Sequence, residues 1–71
     1  MEEDIIDKKI KSFREILSQS NLNFVNDMKL PLFLFFEIIT LIKTSEPKIQ
    51  NKFYQLLIKY SFLISKLINS N

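Results

Sequence analysis

The hydrophobic positions are densest in the segment 30–42, where every residue except Glu37 and Thr40 is apolar or proline. A helix over this segment would be apolar on almost every side. Such a helix is stable in water only when other elements cover it from several directions. Pro31 is compatible with the first turn of a helix and disfavours helical geometry at the residue before it. We therefore predict a largely buried helix from about 31 to 44.

The N-terminal segment has a single apolar face. Its apolar residues are spaced four, three and four positions apart: Ile6, Ile10, Phe13 and Leu17. This spacing follows the 3.6-residue period of an α-helix, and charged residues fill most of the other positions. We predict a half-exposed helix over about 3–18. Serine and asparagine at 18–21 favour a turn, so we expect a connection over 19–29.

The residues Thr44-Ser45-Glu46-Pro47 form the clearest turn signal in the chain. Serine is a favourable N-cap residue, and proline is tolerated in the first turn of a helix. We therefore predict that Ser45 caps a third helix over about 46–68. A short turn between two helices is typical of an antiparallel helical hairpin.

The predicted third helix has two apolar sides. The first resembles the seam of a coiled coil, with spacings of four and three in alternation: Ile49, Phe53, Leu56, Tyr60, Leu63 and Leu67. The second contains Tyr54, Ile58, Phe62 and Ile68. The first helix can cover only one of these sides. We therefore predict an all-α, three-helix domain (residues 1–71) with a hairpin of helices two and three, completed by oligomerisation.

The amino-acid composition excludes several kinds of catalytic and binding site. The 71-residue chain contains no Cys, His or Gly. These absences exclude disulfides, zinc sites built from thiolate or imidazole, and glycine-rich phosphate loops. We find no catalytic constellation, so we expect no catalytic residues, no cofactor, no metal and no enzymatic activity. Chains this short commonly gain stability by oligomerisation.

We expect a non-catalytic protein–protein interaction or assembly module, acting as a homo-oligomer, most simply a dimer, or with a protein partner. The interface candidates are apolar residues of the second and third helices: Phe33, Phe36, Ile49, Phe53, Leu56, Tyr60, Leu63 and Leu67. Glu37 is the only acidic residue of the apolar helix, and we expect it at the solvent edge because burying an unpaired carboxylate is costly.

Two alternatives come from a stripe of lysines on the third helix: Lys48, Lys52, Lys59 and Lys66. This stripe would suit a small dimeric nucleic-acid-binding protein or a membrane-surface amphipathic protein. We favour a solvated face, in which the lysine stems cover the apolar seam. Arg14 is the only arginine, so base-specific readout is poorly provided for.

An intracellular location is favoured, since the acidic N-terminus does not resemble a signal peptide and the chain lacks Cys. The predicted apolar helix of 14 residues would be about 21 Å long, which is short of the roughly 30 Å core of a bilayer.

Overall fold

A computed structural model describes residues 2–19 and 29–69. These residues form the helices α1 (Glu2–Gln19), α2 (Lys29–Ile42), α3 (Pro47–Lys59) and α4 (Ser61–Asn69). The described residues contain no β-strand, and the predicted all-α class is confirmed. Helix α1 packs against α2 and α3, and α4 packs against the same two helices. The predicted connection over 19–29 lies mostly outside the described residues.

The core is formed by the helical faces that the hydrophobic period predicts. In α1, the four predicted residues are at most 3% exposed. Phe35 of α2 lies at the centre, with its ring centroid 5.6 Å from that of Phe13 in α1 and 6.2 Å from that of Phe53 in α3. A single side chain of α2 therefore connects three helices. Among the residues that the structure describes, the buried hydrophobic ones are Ile6, Ile10, Phe13, Leu17, Leu32, Phe35, Ile38, Ile42, Ile49, Phe53, Leu56, Ile64 and Leu67.

Residues 43–46 connect α2 to α3, and the start of α3 lies beside the end of α2. The side-chain amide of Gln50 in α3 donates a hydrogen bond of 2.9 Å to the carbonyl of Ile42 at the end of α2. The rings of Phe35 in α2 and Phe53 in α3 also contact each other. Phe35 lies seven residues before Ile42, and Phe53 lies three residues after Gln50. The two helices therefore meet through these side chains, and the predicted antiparallel hairpin stays a prediction.

The predicted N-cap of α3 at Ser45 is wrong by one residue. Glu46 occupies that position, with extended geometry (φ −61°, ψ 150°), and its side chain makes no capping hydrogen bond. The physical reason is Pro47, which disfavours helical geometry at the residue before it, so the helix begins at the proline itself. The Ser45 hydroxyl instead donates 2.9 Å back to the carbonyl of Leu41 near the end of α2, which also accepts a hydrogen bond of 3.3 Å from the backbone N–H of Thr44.

The predicted single helix over 46–68 is wrong at Tyr60, where the structure divides it into α3 and α4. The backbone of Tyr60 (φ −112°, ψ 27°) departs from helical values near about −63° and −42°. Beyond this point Ile64 and Leu67 are buried, whereas Leu63 is only half-buried. The predicted seam therefore holds at Leu56 and Leu67, and Ile64 takes the place of Leu63 on the buried face. The break accompanies the packing of α4 onto α2, and tertiary burial of this kind overrides local helical preference.

Candidate interaction surfaces

Most of the predicted interface residues belong to the hydrophobic core or pack against it. Four of them are buried: Ile49, Phe53, Leu56 and Leu67. Tyr60 and Leu63 are half-buried and pack against the core. A partner cannot contact the buried four while the core stays closed. Phe33 and Phe36, by contrast, are 61% and 46% exposed on α2.

A second set of exposed apolar residues lies on the outside of α3 and α4. We call Tyr54, Ile58 and Phe62 the α3–α4 apolar surface. Ile58 and Phe62 are each 70% exposed, and Tyr54 is 49% exposed. Tyr54 and Ile58 are four residues apart, which is the spacing of neighbours on one side of a helix, and Phe62 follows in the first turn of α4. The ammonium of Lys66 lies 4.6 Å from the centroid of the Phe62 ring, so part of this surface is bordered by a cation.

Glu37 lies at the solvent edge, as expected from the cost of burying it. Its side chain is 54% exposed, and its Oε2 accepts a hydrogen bond of 2.8 Å from the ammonium of Lys9 in α1. The pair joins two helices that are distant in the sequence. Sequence reasoning missed this contact because nothing local in either helix specifies the partner. An exposed pair of this kind contributes little to stability.

The lysine stripe is not one continuous surface in the structure. Lys52 and Lys59 face α1, Lys66 lies against Phe62, and Lys48 is exposed on the first turn of α3. Only two of its four lysines, Lys52 and Lys59, therefore lie where α3 packs against α1.

Two adjoining surface depressions, of about 170 and 150 Å³, lie where α1 packs against α3. Arg14 and Lys52 line both of them. Lys59, Gln55 and Tyr60 contribute to the first, and Lys11 and Asp7 to the second. We call this region the basic groove; its cations are Lys11, Arg14, Lys52 and Lys59. Sequence reasoning missed the role of Arg14, since only the packing of α1 on α3 brings it to the lysines.

The described residues contain no group of three Asp, Glu, His or Cys side chains that could hold a metal ion. In the same part of the chain, no helix is both long and apolar enough to cross a membrane.

The chain was compared with models of protein families, with curated proteins and with solved structures, and none of the three comparisons gave a match.

Proposed function

We propose that this chain is a non-catalytic protein–protein interaction module that assembles with a second copy of itself through the α3–α4 apolar surface. The observation that supports the proposal best is the 70% exposure of both Ile58 and Phe62. Neither side chain is needed to close the core, and each leaves most of its apolar area in water. An exposed apolar patch on a small soluble protein commonly marks an interaction site.

The exposed apolar area of the α3–α4 apolar surface favours another protein surface as its binding partner. An aromatic side chain buries about 150–250 Å² when fully covered, so Phe62 alone offers on the order of 100–175 Å². At roughly 25 cal/mol per Å², covering that area stabilises an assembly by about 3–4 kcal/mol before the costs of association. With Ile58 and the half-exposed Tyr54, the surface approaches a few hundred Å², which is the size of the largest apolar patch on a typical monomer, and such a patch is often functional.

The size and charge of the chain favour a second copy of the same chain as this binding partner. Chains below about 70–80 residues commonly reach adequate stability by oligomerisation, and this one has 71 residues and no disulfide. Its formal net charge of +2 gives only weak repulsion between copies. Symmetric dimers are the commonest homo-oligomers, and in them one self-complementary patch is enough.

The test compares Ile58→Asp with Asn51→Asp. Both positions are exposed on α3, and both substitutions lower the net charge by one. We expect Ile58→Asp to yield a folded monomer, because a carboxylate at this position would be desolvated only in the assembly. Asn51→Asp should assemble like the unmodified chain. Size-exclusion chromatography with light scattering measures the mass, and circular dichroism checks the fold.

If the unmodified chain is already a folded monomer at micromolar concentration, self-assembly is refuted. If both variants assemble equally well, assembly does not use the α3–α4 apolar surface. The membrane-surface alternative stays a prediction; it requires binding to vesicles that strengthens with the fraction of anionic lipid.

A further inference from the structure

The basic groove brings together cations from two helices. Lys11 and Arg14 come from α1, and Lys52 and Lys59 come from α3. Among the described residues, Arg14 and Lys59 make no ion pair, although the Lys59 ammonium lies 5.5 Å from the centroid of the Tyr60 ring. Within the described part of the chain, the guanidinium of Arg14 can therefore engage an anion with its planar set of donors.

One carboxylate also lines the groove. Asp7 Oδ1 accepts a hydrogen bond of 3.3 Å from the ammonium of Lys52, and both side chains are about half exposed (49% and 48%). An exposed pair of this length is weak and easily exchanged. An incoming anion can therefore replace Asp7 as the partner of Lys52. The groove still carries a net positive charge with the pair intact.

The groove is elongated along α3. Lys52 and Lys59 are seven residues apart, which corresponds to about 10.5 Å along a helix. Measured along the axis of B-DNA, one strand carries a phosphate about every 3.4 Å, so a row of cations of this length can meet more than one phosphate of a strand. A row of cations at that scale suits an extended chain of phosphates better than a single small anion.

We propose that the basic groove binds the phosphate backbone of a nucleic acid without reading its base sequence. Arg14, Lys52 and Lys59 supply the charge. Bidentate arginine and amide contacts provide most base-edge recognition, and the groove holds only one side chain of each kind, Arg14 and Gln55, so the interaction is mainly electrostatic. From the sequence alone, the lysines are better explained as a solvated face; the position of Arg14 beside them changes that interpretation. This inference is independent of the proposed self-assembly.

The first test is a loss of binding. A labelled duplex and a labelled single strand are titrated with the chain at two salt concentrations. The groove variant is Arg14→Gln with Lys59→Gln, and the matched control is Lys8→Gln with Lys43→Gln, at two exposed lysines outside the groove. Both double variants lower the net charge by two. We expect weaker binding and a salt slope smaller by roughly one per lost phosphate contact only in the groove variant.

The second test is a gain of binding, which unfolding cannot mimic. Asp7→Asn removes the carboxylate that competes for Lys52, so binding should become tighter. Glu15→Gln is the control, because Glu15 is exposed on the same helix and does not line the groove. Its effect should be smaller than that of Asp7→Asn.

Several outcomes would overturn the proposal. One is the absence of binding to either nucleic acid at low salt. Another is an equal loss in the groove variant and its matched control, since net charge alone would then explain the binding. Binding to vesicles containing anionic lipid, without binding to either strand form, would assign the groove to a membrane surface instead.

Discussion

Phe35 is the residue whose truncation should damage the fold most selectively. It is 6% exposed and contacts the rings of Phe13 and Phe53, so it connects α1, α2 and α3. Replacing a buried phenylalanine with alanine costs about 3–5 kcal/mol. At about 0.05–0.15 kcal/mol per residue, a chain of 71 residues is stable by only about 4–11 kcal/mol. Phe35→Ala should therefore remove at least about a quarter of the free energy of unfolding, and at the lower limit all of it.

The matched control is Phe33→Ala, because Phe33 lies two positions away on the same helix and is 61% exposed. Each kcal/mol shifts the melting midpoint of a domain this size by about 4–8 °C, so Phe35→Ala should lower it by about 12–40 °C. Phe33→Ala should change stability by about 0.5 kcal/mol or less.

Far-UV circular dichroism at low and high protein concentration measures both midpoints, and the low concentration separates folding from assembly. Equal shifts in the two variants would refute the packing of α2 described above.

Two further predictions concern the buried apolar face of α3 and α4, and the exposed salt bridge between Glu37 of α2 and Lys9 of α1. Leu56→Asp should abolish the cooperative thermal transition seen by circular dichroism, because Leu56 is 5% exposed and a buried unpaired charge costs several kcal/mol. Leu63→Asp should lower the melting midpoint less, since Leu63 is only half-buried; the reverse order would mean that α4 is rotated. Glu37→Gln should change the free energy of unfolding in urea by less than about 1 kcal/mol, because its pair with Lys9 is exposed. A larger loss would show that this pair is a structural clamp.

The periodic parts of the fold could be predicted from the sequence. The spacing of Ile6, Ile10, Phe13 and Leu17 specifies one helical face, and all four residues are buried. The same reasoning holds for Ile49, Phe53 and Leu56 in α3. In both helices the apolar period and the polar positions agree, so local preference and burial specify the same structure.

The break at Tyr60 could not be predicted in this way. No glycine or proline marks it, and the apolar spacing continues without interruption from Leu56 to Leu67. After the break α4 packs on α2, and a contact between these two segments is a long-range property. The cap of α3 is a different case, since the restriction that Pro47 places on Glu46 was visible in the sequence but was outweighed by the general preference for serine.

The candidate surfaces were predictable only in part. The α3–α4 apolar surface belongs to the second apolar side that the helical period indicates for this segment. The basic groove depends on how α1 packs on α3, because Arg14 and Lys59 are 45 positions apart in the sequence. Spacing within one helix carries no information about a contact of this kind.

The mass of the unmodified chain in solution tests the proposed self-assembly most directly. Light scattering over a dilution series from tens of micromolar to below one micromolar gives this mass without any substitution. The proposal predicts a mass near twice the 8.5 kDa of one chain at the upper end, and a decrease toward the monomer on dilution. A mass of one chain throughout the series, with cooperative unfolding at a midpoint independent of concentration, would contradict it.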